Sequence, residues 1–222
     1  MTASADLKYL LQPRSIAIIG ASQDESKSGG MFISSLLKDG YKGIIYPINR
    51  KECEIMSLNA YPSVLNIAGD VDLAVMAIPA RSVPPTMAEC AQKGVRFTVV
   101  HSAGFSELGA EGKELEMRML QAARAGSVRL VGPNCMGIVS PRSSINTIVP
   151  HTRLPMEPGG VSFVGQSGWA CENMLRLGSE RGLRFSGVIS IGNQSDLTIE
   201  DFLEYFGNDT ETRVIAFYIE GI

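Results

Sequence analysis

The sequence predicts an α/β fold in which a parallel, doubly wound sheet is followed by a second, partial α/β unit. Three observations carry this expectation. Short apolar, β-branched runs recur along the chain, among them 15–19, 44–48, 71–78 and 95–100. Each of these runs ends in a loop of small or polar residues. Amphipathic segments of helical period separate them, and short connections between alternating strands and helices make the sheet parallel.

Residues 5–11 read as a short helix stopped by Pro13. The first strand stops at Gly20-Ala21-Ser22, and past Ser28-Gly29-Gly30 a helix occupies 31–37. Tiny residues let backbone approach a ligand and a following helix N-terminus attracts phosphate, so this loop reads as a phosphate cradle. It lacks the G-x-G-x-x-G spacing of a dinucleotide fingerprint. The second strand, 44–48, runs out into Asn49-Arg50-Lys51, where a sheet binding NAD carries an acidic residue for the ribose. Two cations and an amide favour a phosphate instead, either the 2′-phosphate of NADP or the 3′-phosphate of coenzyme A.

The third strand, 71–78, ends at Pro79; Ser82 is placed to cap the next helix, with Pro84 and Pro85 in its first turn and Gly94 closing it. The fourth strand opens into His101-Ser102-Ala103-Gly104-Phe105. After an outer helix over 109–125 and a short strand at 128–131, Gly132-Pro133-Asn134-Cys135-Met136-Gly137 forms a third loop at the same edge. Open α/β sheets bind ligands at that carboxyl edge. Composition then divides the chain into a first domain at 1–147, a Pro- and Gly-rich linker at 148–160 and a second domain at 161–222.

The second domain repeats the theme. A strand at 161–164 leads through Gly165-Gln166-Ser167-Gly168 into a helix over 169–181, with the Ser167 hydroxyl as cap or phosphate donor. A strand at 185–191 ends in Gly192-Asn193, Thr198 with Asp201 resembles a capping box, and a last strand at 214–219 carries Glu220 at its end. So few elements are thin for an independent α/β domain, and the chain reads as a fragment.

The 222 residues, 45% hydrophobic and 19% charged, have globular composition, and a net charge of −3 argues against nucleic-acid and membrane surfaces as partners. Cys53, Cys90, Cys135 and Cys171 form no C-x-x-C and have two histidines to help them, so neither a metal site nor a disulfide framework is indicated. With no signal peptide and no apolar run of about 18 residues, a cytoplasmic location is expected.

In this order, Pro13-Arg14-Ser15-Ile16 with Gly20-Ala21-Ser22, Tyr46-Pro47-Ile48-Asn49, Tyr61-Pro62-Ser63, Val71-Asp72-Leu73-Ala74, Ser102-Ala103-Gly104-Phe105, Gly132-Pro133-Asn134-Cys135, Gln166-Ser167-Gly168, Gly192-Asn193 and Tyr218-Ile219-Glu220-Gly221 resemble the NDP-forming acyl-CoA synthetases, relatives of the succinyl-CoA synthetase α subunit. The resemblance implies a Rossmann-like CoA-binding domain followed by a partial flavodoxin-like ligase domain. It implies conversion of acyl-CoA, ADP or GDP and phosphate to acid, CoA and nucleoside triphosphate, through an acyl phosphate and a phosphohistidine. It places Gly20, Ala21, Ser22 and Lys27 near the CoA phosphates, Asn49 and Arg50 near the nucleotide, and Ile78 with Pro79 along CoA. Ser102, Ala103, Gly104 and Asn134 flank the thiol, Ser167 and Gly168 hold the phosphoryl group, and Glu220 holds the phosphorylated histidine.

His101 and His151 suit that last role poorly, so the family's histidine is expected beyond Ile222. ATP or ADP with Mg²⁺ belongs to an ATP-grasp domain or subunit outside this chain. Acyl-CoA and that ATP-grasp part are the implied partners, with self-association left open. Trp169 stands where the family usually has a small residue and Gly165 where serine is common. Two other readings compete. An NADP-dependent oxidoreductase fits the cradle and Arg50 but lacks a domain with catalytic Tyr-Lys or His-Asp groups; a non-catalytic CoA-binding module of an acetyltransferase fusion fits the first domain.

Overall fold

Every residue of β1 (Ser15–Ile19) is buried, as a central parallel strand covered on both faces must be. The structure, a computed structural model, describes residues 7–148 and 154–221. Around β1 the chain forms α1 (Lys8–Leu11), α2 (Ser28–Asp39), β2 (Ile44–Ile48), a hairpin of β3 (Glu54–Ile55) and β4 (Leu58–Asn59), β5 (Leu73–Met76), α3 (Val83–Lys93), β6 (Phe97–Val100), α4 (Ala110–Ala125) and β7 (Arg129–Val131). The sheet order is β2-β1-β5-β6-β7, and its strands are all parallel.

Alternation along the strands sorts the core onto two faces. Ile16, Ile18, Leu73, Val75, Phe97 and Val99 pack with Phe32, Ile33 and Leu36 of α2. Ala17, Ile19, Ala74, Met76 and Val100 face the other way, onto Val83 and Met87 of α3 and Met119 of α4. This is the expected Rossmann-like arrangement.

A second, mixed sheet follows: β8 (Gly137–Ser140), β9 (Ile145–Asn146), β10 (Val161–Gly165), β11 (Phe185–Ser190) and β12 (Val214–Tyr218), with α5 (Gly168–Glu180) and α6 (Ile199–Asn208). Its order is β12-β10-β11-β8-β9; β10 runs parallel to β11 and β12, and β8 runs antiparallel to β11. Residues 137–146 thus hydrogen-bond into the second sheet, although composition groups them with the first domain. Both strands are too short to carry a period, and the turn between them needs Ser144 at φ 55. Ile138, Val164, Ile189, Phe202 and Phe206 share one apolar cluster with Leu36 and Phe97 of the first unit.

Several local expectations change. Helix α2 starts at Ser28, not at 31; a Cβ on Gly29 would lie 2.0 Å from the Gly20 carbonyl oxygen, so this glycine lets the helix start against the loop. Ser82 is no cap. It closes a 3₁₀ turn (Ala80–Ser82) that runs straight into α3, and its side chain bonds no helix N–H. At α6 the Asp201 carboxylate does accept the Thr198 N–H, at 2.9 Å. Ala5 and Asp6 of the first expected helix lie outside the described residues.

Candidate functional site

The loops after β2, β1, β5, β6 and β7 lie side by side at one sheet edge, in strand order. Gly20, at φ +91, brings the end of β1 against β5: a Cβ there would sit 2.4 Å from the Ala77 carbonyl oxygen. The Gly20 and Ala21 N–H groups both donate to the Ile48 carbonyl, at 3.2 and 3.1 Å, so they stitch β1 to β2 instead of facing a ligand. Asn49 Nδ2 donates to the Ala21 carbonyl at 2.8 Å, while its Oδ1 accepts the Lys51 N–H at 2.8 Å and the Glu52 N–H at 3.2 Å. Asn49 is therefore the tie between the cradle and the cationic loop. Ser22 Oγ accepts the Asp24 N–H at 3.1 Å, closing its own turn. Lys27 stands at the uncapped N-terminus of α2, its ammonium 3.8 Å from Asp24. Hydrogen bonds from the Ser26 hydroxyl and N–H, with the Lys27 charge, hold the Asp24 carboxyl below its ordinary range.

Between the β1, β2 and β5 loops opens a cleft of about 350 Å³, whose lining includes Gly20, Asn49, Arg50, Lys51, Ile78 and Pro79. Arg50 and Lys51 are exposed and form no ion pair among the described residues. Five of the expected ligand contacts thus meet in one place, with two free cations at its rim.

Further along the edge, Ser102 Oγ donates to the Ile78 carbonyl, and the Asn134 N–H donates to the Ser102 carbonyl at 2.9 Å. Ala103 is exposed. The Gly104 and Phe105 N–H groups point at Glu107 Oε1, at 2.5 and 3.1 Å, and Glu107 Oε2 accepts from Asn193 Nδ2 of the second unit at 2.6 Å. Burial alone would raise the Glu107 carboxyl, but these bonds hold it below its ordinary range. Glu107 and Asn193 thus fasten the Ser102–Phe105 loop to the second unit, a link no sequence pattern carries.

His101 is packed edge-on to Phe32, 5.3 Å between ring centroids, and its buried Nδ1 has no partner among the described residues. Burial keeps its pKa below the ordinary value, against a backbone hydrogen bond with Cys135. His151 lies outside the described residues. Burial also pushes the Cys90, Cys135 and Cys171 thiols up to about 12. Among the described residues no group of three or more His, Cys, Asp or Glu is arranged to hold a metal, and no helix is long and apolar enough to cross a membrane.

In the second unit, Ser167 caps α5 by accepting the Ala170 N–H at 3.3 Å. A Cβ on Gly168 would lie 2.4 Å from Met136 Cγ, so the α5 N-terminus abuts the loop that carries Asn134. Trp169, in the first turn, is 74% exposed and does not plug this helix start. Gln166 accepts the Glu220 N–H at 2.5 Å and the Gly221 N–H at 3.1 Å through Oε1, and its Nε2 donates to the Gly221 carbonyl at 2.8 Å. One side chain therefore holds the Glu220 backbone beside the Ser167 loop. The Glu220 side chain itself is exposed.

Residues 14–141 match a family profile described as a CoA binding domain. The chain belongs to this CoA-binding domain family. Its residues 158–222 match a second profile, described as a succinyl-CoA ligase like flavodoxin domain. Over 217 residues the CoA-binding chain is 42% identical to an ADP-forming acetate–CoA ligase of Methanocaldococcus jannaschii, covering 98% of this chain and 30% of that protein. It is 39% identical to the α subunit of ADP-forming acetate–CoA ligase II of Pyrococcus furiosus, covering 97% of this chain and 46% of that subunit. Acetyl-coenzyme A synthetase 1 of Ca. Korarchaeum cryptofilum, solved with phosphate and ADP, superposes with a TM-score of 0.90 at 36% identity, over 97% of this chain and 46% of that one. The CoA-binding chain thus spans less than half the length of these relatives.

Proposed function

We propose that the chain is the CoA-binding portion of an NDP-forming acyl-CoA ligase, the enzyme class that turns acyl-CoA, ADP and phosphate into acid, CoA and ATP. The observation that carries this reading is the cleft where Gly20, Asn49, Arg50, Lys51, Ile78 and Pro79 meet. Its unpaired cations suit a phosphate and its Ile and Pro walls suit a base, so the residues present fit CoA. CoA supplies the thiol that carries the acyl group.

In this reading Arg50 and Lys51 hold the 3′-phosphate, Lys27 and the turn at Gly20-Ala21-Ser22 lie along the diphosphate, and Ser102, Ala103, Gly104 and Asn134 flank the thiol. Ser167 and Gly168 offer the α5 N-terminus to a phosphoryl group. Glu220 orients a histidine: a carboxylate on one ring nitrogen fixes the tautomer and leaves the other free to attack phosphorus. That histidine, and a nucleotide site with Mg²⁺ in an ATP-grasp domain or subunit, lie outside these residues, so the chain alone makes no ATP from acyl-CoA, ADP and phosphate.

Calorimetry with CoA, dephospho-CoA, NADPH and NADH tests the reading. CoA binds and NADPH does not; Arg50→Ala weakens CoA by about 1–3 kcal/mol, the range for a charge-assisted contact, and dephospho-CoA much less. Preference for NADPH refutes the reading, and an equal loss for both CoA forms removes Arg50 from its role.

A further inference from the structure

The turn after β11 holds more hydrogen bonds than a turn needs. Asn193 donates from Nδ2 to Glu107 Oε2 at 2.6 Å, to Ser106 Oγ at 3.1 Å and to Glu116 Oε2 on α4 at 3.2 Å. Its Oδ1 accepts from Asn134 Nδ2 at 3.3 Å. Glu116 is fixed in turn: its Oε1 accepts from Ser195 Oγ at 2.6 Å and its Oε2 accepts the Ser106 N–H at 3.1 Å. The Asn193 amide thus meets acceptors that all belong to the first unit, on the chain just past the Ser102–Phe105 loop.

Joining the two units does not require this side chain. The backbone alone lays the segment along the end of β7: the N–H groups of Asn193, Ser195 and Leu197 donate to the Pro133, Gly132 and Leu130 carbonyls at 3.0, 3.1 and 3.1 Å. Asp196 adds an ion pair with Arg129 at 2.9 Å. The bonds of the Asn193 side chain converge elsewhere. Through Glu107, whose Oε1 takes the Gly104 and Phe105 N–H groups at 2.5 and 3.1 Å, and through Asn134, whose N–H donates to the Ser102 carbonyl at 2.9 Å, Asn193 grips both ends of the Ser102–Phe105 loop. On its other side Asn193 continues from β11, where the Ile191 N–H donates to the Gly165 carbonyl at 2.8 Å, at the entrance to the Ser167 turn and α5. One side chain links the loop assigned to the thiol with the helix start assigned to the phosphoryl group.

We infer that Asn193 is a positioning residue for the thiol end of CoA, acting from the second unit through Glu107 and Asn134 on the Ser102–Phe105 loop. The inference rests on the CoA reading above. A loop held in its bound shape before the ligand arrives costs less to order, so the pantetheine arm gains affinity that the nucleotide end does not see. The same hold keeps the thiol in register with the acyl phosphate, where a displacement of about 1 Å is felt in the rate.

The test is calorimetry on the 222-residue chain with CoA and with 3′-phospho-ADP, which keeps the nucleotide and diphosphate of CoA but lacks its pantetheine arm and thiol. The wild type binds CoA more tightly by about tenfold. Asn193→Ala lowers that ratio to about threefold or less and leaves the affinity for 3′-phospho-ADP unchanged. Asn193→Asp, of the same shape, sets a carboxylate against Glu107 and Glu116 and lowers the ratio as far. Adding Glu107→Gln to Asn193→Asp restores the bond with donor and acceptor exchanged, and the ratio rises again. A merely structural role would weaken both ligands alike and would not respond to the exchange. Equal affinities in the wild type, an equal loss for both ligands in Asn193→Ala, or a double variant no better than Asn193→Asp overturns the inference. If Asn193→Ala does not fold, Glu107→Gln alone, which sets donor against donor at Asn193, must lower the ratio, and an unchanged ratio overturns the inference. Failure of CoA itself to bind overturns the functional reading and this inference together, whereas CoA binding with an unchanged ratio in the variants removes this inference alone.

Discussion

Replacing Gly20 by Ala isolates what the cradle demands of its backbone. At φ +91 an L-residue is strained by about 1–2 kcal/mol. The new Cβ also meets the Ala77 carbonyl oxygen at 2.4 Å, a backbone atom at the end of β5 that cannot rotate away. Opening that contact resembles overpacking a core, about 1–3 kcal/mol more. A total near 3 kcal/mol lowers the melting temperature by about 6–12 °C for a chain of this size. Gly168→Ala is the control. Its Cβ meets Met136 Cγ at 2.4 Å, a flexible side chain that swings aside, and it has no positive φ, so the change stays within about 1 kcal/mol. Urea unfolding followed by circular dichroism measures both. If Gly20→Ala is no less stable than Gly168→Ala, the close approach of β1 to β5 does not constrain this loop.

Asp72 is buried and takes two side-chain bonds from Arg14, at 3.0 and 3.1 Å. Burial would raise its carboxyl, but the Arg14 hydrogen bonds and the charges of Arg14 and Arg96 hold it below the ordinary 3.8. The associated stability is present above that value and lost as pH falls through the lower folded one. Asp72→Asn therefore destabilises by about 1–2 kcal/mol at pH 7, the low end because Arg14 is 68% exposed, and the gap to wild type closes in acid; a constant gap refutes the pairing. Gln166→Ala releases the Glu220 and Gly221 N–H groups, raising their hydrogen exchange by about tenfold, and unchanged exchange shows that Gln166 does not hold them. Phosphate binding at the α5 N-terminus shifts the emission of Trp169, the chain's one tryptophan, in a saturable way; a flat titration removes the anion from that site.

Features written within a few consecutive residues were legible before the structure. The uninterrupted apolar run of β1 announced a buried strand, and the loops at Gly20, Asn49, Ser102, Gly132 and Ser167 fell at strand ends as their small or polar residues implied. Capping at Thr198 was readable because donor and acceptor lie three positions apart. Long-range partners were not. Glu107 meets Asn193 from 86 positions away, and nothing near either residue encodes the other. The β3–β4 hairpin was missed because Met56 and Ser57 take φ of 49 and 62 where Asn-Gly would have signalled the turn. Ser82 had a capping residue type, but the 3₁₀ turn ahead of it leaves its backbone helical and its hydroxyl misplaced. Gln166 lay inside a quoted motif, yet its bonds to the end of β12 depend on the parallel register of β10 and β12.

The exchange of β8 and β9 into the second sheet bears on how the protein can be divided. A piece ending after Asn146 would carry β8 paired to β9 alone, with its β11 edge open and Ile138 and Val139 meeting water. The complementary piece would lose the cover of Val188 and Ile189 and present β11 as a bare edge. Each half therefore ends in an adhesive surface that only the other half matches. Halves expressed together would re-form the β8–β11 ladder between separate chains, while halves expressed apart would aggregate.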